Sequence, residues 1–255
     1  MRIPFQVAGQ TDVGVKRNHN EDTFSILEEE NLFLACDGMG GHASGEVASQ
    51  MAVETIRNFF RDTREDPELT WPYKMDRSRR YEENRLITAI KLANLRIHEA
   101  AKRESKYHGM GTTIVAFYSI EEGAYLAHVG DSRIYRLRDG ELQQITEDHS
   151  LLNDYIKMKK LTAEEIAAFP HKNVIVRALG MKESVKVDTF LEQTRPGDIY
   201  LLCSDGLSGE VEDPQISEIM LRHGKNLKAM CHELIETAKK NGGSDNITVV
   251  LARNP

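Results

Sequence analysis

Three apolar runs in this chain end in an aspartate followed by a small or turn-forming residue: Leu32–Cys36 before Asp37-Gly38, Tyr125–Gly130 before Asp131-Ser132, and Ile199–Ser204 before Asp205-Gly206. A fourth aspartate, in Asp245-Asn246, leads straight into the run Ile247–Val250. Short runs rich in Val, Ile, Phe and Tyr, bounded by Gly, Asp and Pro, read as β-strands. Strands that share one rim of a sheet would gather these carboxylates, with the adjacent pair Glu21-Asp22 beside them. Taken singly, each aspartate is as readily a turn residue; the set together demands another account. Carboxylates within a few ångströms raise one another's pKa unless a positive charge offsets them. Lysine and arginine are scarce beside these motifs, so a divalent metal is the economical answer. Oxygen donors without a neighbouring Cys/His pair favour Mg²⁺ or Mn²⁺ over Zn²⁺.

The same reading sets the fold class. Strands are expected near 3–9, 23–27, 31–36, 112–119, 123–129, 133–138, 141–145, 185–192, 198–203 and 246–252. Asp139-Gly140 between two alternating runs is a hairpin signal, and Glu121-Glu122-Gly123 joins another pair, so antiparallel sheet should dominate. Val47, Met51, Ala52, Ile56, Phe59 and Phe60 recur at three and four residues, as do Leu86, Ile90, Ala93, Ile97 and Ala101, which predicts two amphipathic helices. A third helix runs near Leu227–Lys239 and stops at Gly242-Gly243. Thr162-Ala163-Glu164-Glu165 is a capping box for a short helix ending before Pro170. Between the first two helices, Arg61–Arg85 holds seven positive and seven negative residues and two prolines, and reads as a solvated connection. With 40% hydrophobic residues in 255, the core is ample. The expectation is one α+β domain over 1–255, antiparallel sheets with helices outside, and a small helical insert around 148–182.

Lys+Arg at 33 against Asp+Glu at 40 leaves a net charge of −7, so no global field attracts nucleic acid or an anionic membrane. No apolar run approaches the ~18 residues a membrane helix needs, and the amino terminus lacks a secretory h-region. Three cysteines argue against a disulfide framework, which makes a cytoplasmic protein the expectation. Cys36 is followed at the spacing of a cysteine-phosphatase loop by His42 instead of arginine, and Cys203 and Cys231 offer none either. His232-Glu233-Leu234-Ile235-Glu236 lacks the second histidine of a zinc-protease helix, and no phosphate-binding G-x-x-x-x-G-K-[ST] loop exists. Gly38, Gly40 and Ala43 satisfy a dinucleotide fingerprint, but Asp37 would repel a pyrophosphate and no parallel strand follows the helix. Metal-assisted hydrolysis needs no nucleophilic side chain.

In order along the chain stand Thr11-Asp12-Val13-Gly14, Arg17-Asn18-His19-Asn20-Glu21-Asp22, the stretch from Asp37 to Ser49, Gly111-Thr112-Thr113, Val129-Gly130-Asp131-Ser132-Arg133, Ser204-Asp205-Gly206, and Ser244-Asp245-Asn246-Ile247-Thr248. Nearly end to end, the chain thereby resembles the metal-dependent Ser/Thr protein phosphatases, the PPM or protein phosphatase 2C family, in their compact bacterial form. The resemblance implies a four-layer α/β/β/α sandwich of two antiparallel sheets flanked by helices. It implies that Asp37 bridges two metals, that Asp205 and Asp245 complete the first, and that Glu21 and the Gly38 carbonyl hold the second. Asp131 matches the place where bacterial members hold a third, weaker metal together with the Asp205 equivalent. A water bridging the ions would attack phosphorus while Arg17 grips the phosphoryl oxygens, and Asp22 and Asn246 would orient ligands. Where many eukaryotic members carry a histidine as general acid, this chain has Met39; His42 is then the candidate proton donor, with the alternatives that His42 supports its loop by hydrogen bonding and that a metal-bound water gives the proton. The insert matches the family's variable flap beside the active site. The function implied is hydrolysis of phosphoserine and phosphothreonine in proteins, opposing a Ser/Thr kinase, by a monomer using Mn²⁺ or Mg²⁺. The competing reading is a catalytically silent relative serving as a binding or sensing module.

Overall fold

The computed structural model describes residues 5–40, 44–159, 162, 165, 166, 169 and 174–255. Strand β3, Leu32–Cys36, shows how the layers arise. Leu32, Leu34 and Cys36 face one apolar cluster, Phe33 and Ala35 face another, and all five are buried. A strand covered on both faces reads as a continuous apolar run. The same holds for β6 (Ile114–Ile120), β7 (Gly123–Val129), β11 (Ile199–Cys203) and β12 (Ile247–Arg253).

One five-stranded sheet has the order β1 (Gln6–Asp12), β12, β11, β8 (Arg133–Arg138), β9 (Glu141–Gln144). The other has the order β10 (Asp188–Glu192), β7, β6, β3, β2 (Thr23–Leu27). Every pairing is antiparallel. Phe33, Val115, Phe117, Leu126, Tyr200, Leu202 and Val250 form the core between the sheets. Helices α1 (Ser44–Glu65) and α2 (Tyr81–Arg103) cover the outer face of the second sheet through Ala52, Ile56, Phe60, Leu86, Ile90 and Ile97. On the first sheet, α5 (Asp213–His223) and α6 (Leu227–Asn241) do the same through Ile216, Met220, Met230 and Leu234. Preceding these, α3 (Leu151–Lys159) belongs to the insert and α4 (Asp205–Ser208) is a single turn after β11. This is the four-layer sandwich that the resemblance implies. Among the described residues, no helix is long and apolar enough to cross a membrane.

At the β8–β9 hairpin, Asp139 and Gly140 have φ of 53° and 85°, the twin positive values a two-residue type I′ turn needs. Thr162 and Glu165 make the reciprocal bonds of a capping box, Thr162 N–H to Glu165 Oε2 at 2.8 Å and Glu165 N–H to Thr162 Oγ1 at 3.3 Å. The end of that helix lies outside the described residues, as does part of the insert.

Elsewhere the structure departs from the sequence reading. β1 runs on to Asp12, because Gln10, Thr11 and Asp12 pair with Val249, Thr248 and Ile247. β10 starts at Asp188, since Val185 and Val187 pack instead against the α1–α2 core. Helix α5 was not expected at all. The solvated connection shrinks to 66–80, where Trp71 stacks edge-on against Phe59 at 5.4 Å. Arg85 is buried within α2, bonded to Glu30 Oε2 at 3.1 Å, Thr63 Oγ1 at 2.9 Å and Tyr118 OH at 3.2 Å.

Candidate metal centre

β3 ends at Cys36 and hands Asp37 to a loop that is pinned on both sides. Thr113 donates its N–H to Asp37 O at 2.8 Å, and its Oγ1 accepts the Asp37 N–H at 3.0 Å. Gly38 then pairs with Thr112 in a two-stranded ribbon, β4 (Gly38–Met39) with β5 (Gly111–Thr112). A Cβ on Gly38 would lie 2.2 Å from Gly45 O and 2.5 Å from Glu21 O, so only glycine lets these backbones meet. That contact seats the first turn of α1 against Glu21, whose carboxylate accepts the Gly45 N–H.

Two further loops complete the rim. Asn246 Oδ1 accepts the Glu21 N–H at 2.7 Å, while its Nδ2 donates to Val13 O at 3.0 Å and His19 O at 2.9 Å. One side chain thus ties the loop carrying Arg17 and Glu21 to the residue after Asp245. Ser204, just before Asp205, donates Oγ–H to Asp22 Oδ2 at 2.8 Å and accepts the Thr248 N–H at 2.9 Å.

The carboxylates converge. Asp37 interacts electrostatically with Asp22, Asp205, Asp131 and Asp245, and Asp205 is hydrogen-bonded to it. Burial first, then these like charges, pushes the Asp37 carboxyl well above the usual carboxylate range; burial and Asp245 push Asp205 up likewise. Burial raises Asp22 to about 7, against its bonds from Thr248 and Ser204. Burial and Asp205 raise Asp131 to about 7. Glu21 is raised by burial, partly offset by Arg17. Among the described residues, the cation in direct contact with the group is Arg17, whose Nη2 lies 2.7 Å from Asp245 Oδ2 with both side chains partly exposed, while Arg133, paired with Asp148, acts on Asp131 and Asp205 through its charge. A cleft of about 490 Å³ opens beside Asp131, Asp205 and Asp245 and is lined on the insert side by Leu152, Asn153 and Ile156.

The rim's chemistry fits divalent metal. Its donors are all oxygen, buried Asp131 Oδ1 and Asp22 Oδ1 have no hydrogen-bond partner among the described residues, and Arg17, already paired to Asp245, cannot offset this many carboxylates. Every expected metal-ligand position, Glu21, Asp37, Gly38, Asp131, Asp205 and Asp245, lies at this rim with Arg17. His42 lies outside the described residues. The three cysteines are buried and unpaired, and burial pushes the Cys203 and Cys231 thiols up to about 12, which removes them as nucleophiles. Sequence reading assigned no role to Thr113 or Ser204; for Ser204 its place before Asp205 was the available signal, and for Thr113 its place in Gly111-Thr112-Thr113. It also missed a second cluster, His128, His149 and Asp188, whose ligating atoms lie within 4.8 Å of one another.

A family model described as Protein phosphatase 2C matches residues 14–252. The serine/threonine phosphatase stp of Listeria monocytogenes is 37% identical over 250 residues, covering 95% of this chain and 93% of that protein. The crystal structure of the Mycobacterium tuberculosis serine/threonine phosphatase PstP/Ppp superposes with a TM-score of 0.84 at 36% identity, covering 98% of both chains. The catalytic domain of PstP in complex with two manganese ions gives 0.79 at 35% identity, covering 98% of this chain and 97% of that one.

Proposed function

This chain belongs to the protein phosphatase 2C family, and on that premise we propose that it hydrolyses phosphoserine and phosphothreonine in proteins with divalent ions held by Glu21, Asp37, the Gly38 carbonyl, Asp205 and Asp245. The observation that carries this reading is the convergence of carboxylates on the edge of an open cleft, with those of Asp37 and Asp205 raised in pKa by burial and like charge. The similarity to a phosphatase domain holding two manganese ions supports two ions here, with Mn²⁺ or Mg²⁺ the hard cations that such donors suit. Asp131, buried beside Asp205 with a partnerless oxygen, is the proposed contributor to a third ion.

Divalent ions held by these residues would supply an acidified water as the nucleophile and positive charge beside the phosphoryl oxygens. Arg17 spends one amino group on Asp245 and keeps the rest of its fork, on a half-exposed side chain, open to the phosphoryl group. Asn246 and Ser204 hold Glu21 and Asp22 in register through backbone and hydroxyl bonds. As the bond from phosphorus to the seryl oxygen breaks, that oxygen takes a proton, for which His42 is the proposed donor. A silent binding module would keep these carboxylates at a cost in stability with no return, and the curated relatives are named phosphatases. The chain's role is proposed as that of a monomer in the cytoplasm, reversing a Ser/Thr kinase in signal transduction. Hydrolysis of a phosphothreonine peptide in Mn²⁺, Mg²⁺ or excess chelator tests it: activity with either ion and none in chelator is expected, and turnover in chelator overturns it.

A further inference from the structure

His128, His149 and Asp188 include none of the rim carboxylates, and their spacing alone would admit a transition metal. Two observations point elsewhere. The imidazoles of His128 and His149 stack at 4.4 Å with planes 23° apart, so their in-plane lone pairs cannot meet on one ion. Arg177 already supplies the cation, with Nη1 at 3.2 Å from Asp188 Oδ2.

What His149 does hold is the loop before Asp131. Its N–H donates to Gly130 O at 2.9 Å, and the Gly130 N–H donates back to His149 Nδ1 at 3.0 Å. Nδ1 is therefore an acceptor, the ring proton sits on Nε2, and Asp188 Oδ2 receives it at 3.0 Å. The same residue closes the insert: His149 O accepts the Val176 N–H at 2.9 Å, Ser150 bridges Ile175, and Leu151 N–H reaches Val174 O at 2.8 Å. Past Asp131, Ser132 Oγ lies 2.7 Å from Thr113 Oγ1, the hydroxyl that pins Asp37. Hydrogen bonds thus link Asp37 to Thr113 and Ser132 on one side of Asp131, and Gly130 to His149 and both ends of the insert on the other, with Asp131 held in the chain between them.

We propose that His149 is a positioning residue that latches the insert to the Gly130-Asp131 loop through its Nδ1 acceptor and so sets the placement of Asp131 for metal. This rests on the phosphatase reading for its kinetic consequence but not for its geometry. Residues that orient a ligand from behind cost about 10- to 100-fold in metal affinity when removed. The test compares His149→Leu, His149→Asn and His149→Gln in two readouts: the Mn²⁺ concentration for half-maximal phosphopeptide hydrolysis, and exchange of the Gly130 amide hydrogen. An asparagine Oδ1 can take the place of Nδ1, whereas glutamine carries its amide one methylene too far. His149→Asn should stay close to wild type, while His149→Gln and His149→Leu should need at least about tenfold more Mn²⁺ and lose Gly130 protection. Equal metal curves for wild type and His149→Leu, or no difference between the Asn and Gln variants, would overturn the latch. Should His149→Leu fail to fold, the Asn and Gln pair decides. A wild-type protein inert with every metal would defeat the phosphatase reading, and Gly130 exchange would still judge the latch.

Discussion

Replacing Asp131 by asparagine should change the sign of its effect on stability between pH 4 and pH 8 in the metal-free protein. Asp131 is 8% exposed, its Oδ1 has no hydrogen-bond partner, and burial beside Asp205 lifts its pKa from 3.8 to about 7. A carboxyl raised on folding contributes stability that is complete below its unfolded pKa and is lost as pH rises through the folded one. At 1.36 kcal/mol per pKa unit, the charged group costs about 4 kcal/mol above pH 7 relative to pH below 4. Asparagine has the same shape and no such dependence, but it buries an amide with imperfect partners at about 1–3 kcal/mol. In chelator the variant should therefore be less stable than wild type near pH 4 and more stable near pH 8, by about 1–3 kcal/mol at each end. Urea unfolding followed by circular dichroism at stepped pH measures this. A stability difference that stays flat from pH 4 to pH 8 would refute the reasoning. Saturating Mn²⁺ should erase the advantage at pH 8, because cation charge then offsets the carboxylates.

Three other substitutions probe separate links. Arg17→Lys should raise KM for a phosphopeptide with a smaller loss in kcat, since an ammonium cannot reproduce a two-pronged grip; steady-state kinetics unchanged in both parameters would remove Arg17 from the site. Gly38→Ala would place a methyl 2.2 Å from Gly45 O and push the Asp37 loop off α1. Displacement on the ångström scale costs about 100-fold in kcat/KM, so an active Gly38→Ala enzyme would contradict the close packing. Glu30→Leu strips the counter-charge from buried Arg85, and thermal or urea unfolding should show a loss of about 3–5 kcal/mol with kcat retained.

The sequence was most legible where burial is two-sided or turn chemistry is local. Leu32–Cys36, Ile114–Ile120 and Ile247–Arg253 announce themselves because their apolar residues meet either the helices or the facing sheet. Asp139-Gly140 does so because its backbone admits few other residues. The acidic rim was legible for a related reason: its aspartates sit at the borders of those strands, and like charges so placed call for a cation. What stayed hidden depends on partners far along the chain. Polar Gln10–Asp12 is held in β1 by its ladder with Val249–Ile247, which no local propensity announces. Helix α5 buries only Ile216, Ile219 and Met220, too few for its period to stand out. Arg85 reads as a solvent charge until Glu30, fifty-five residues away, is brought beside it. His149 bonds to the backbone N–H of Gly130, a partner without a side-chain signature.

Calorimetric titration of Mn²⁺ into wild type, Asp37→Asn and Asp131→Asn tests the central claim, that the converging carboxylates would hold two metal ions with Asp37 as a ligand neither can spare. Wild type should bind two ions tightly, Asp131→Asn should keep both, and Asp37→Asn, folded by circular dichroism, should retain neither at the same concentration. Wild-type stoichiometry and affinity in Asp37→Asn would contradict the account.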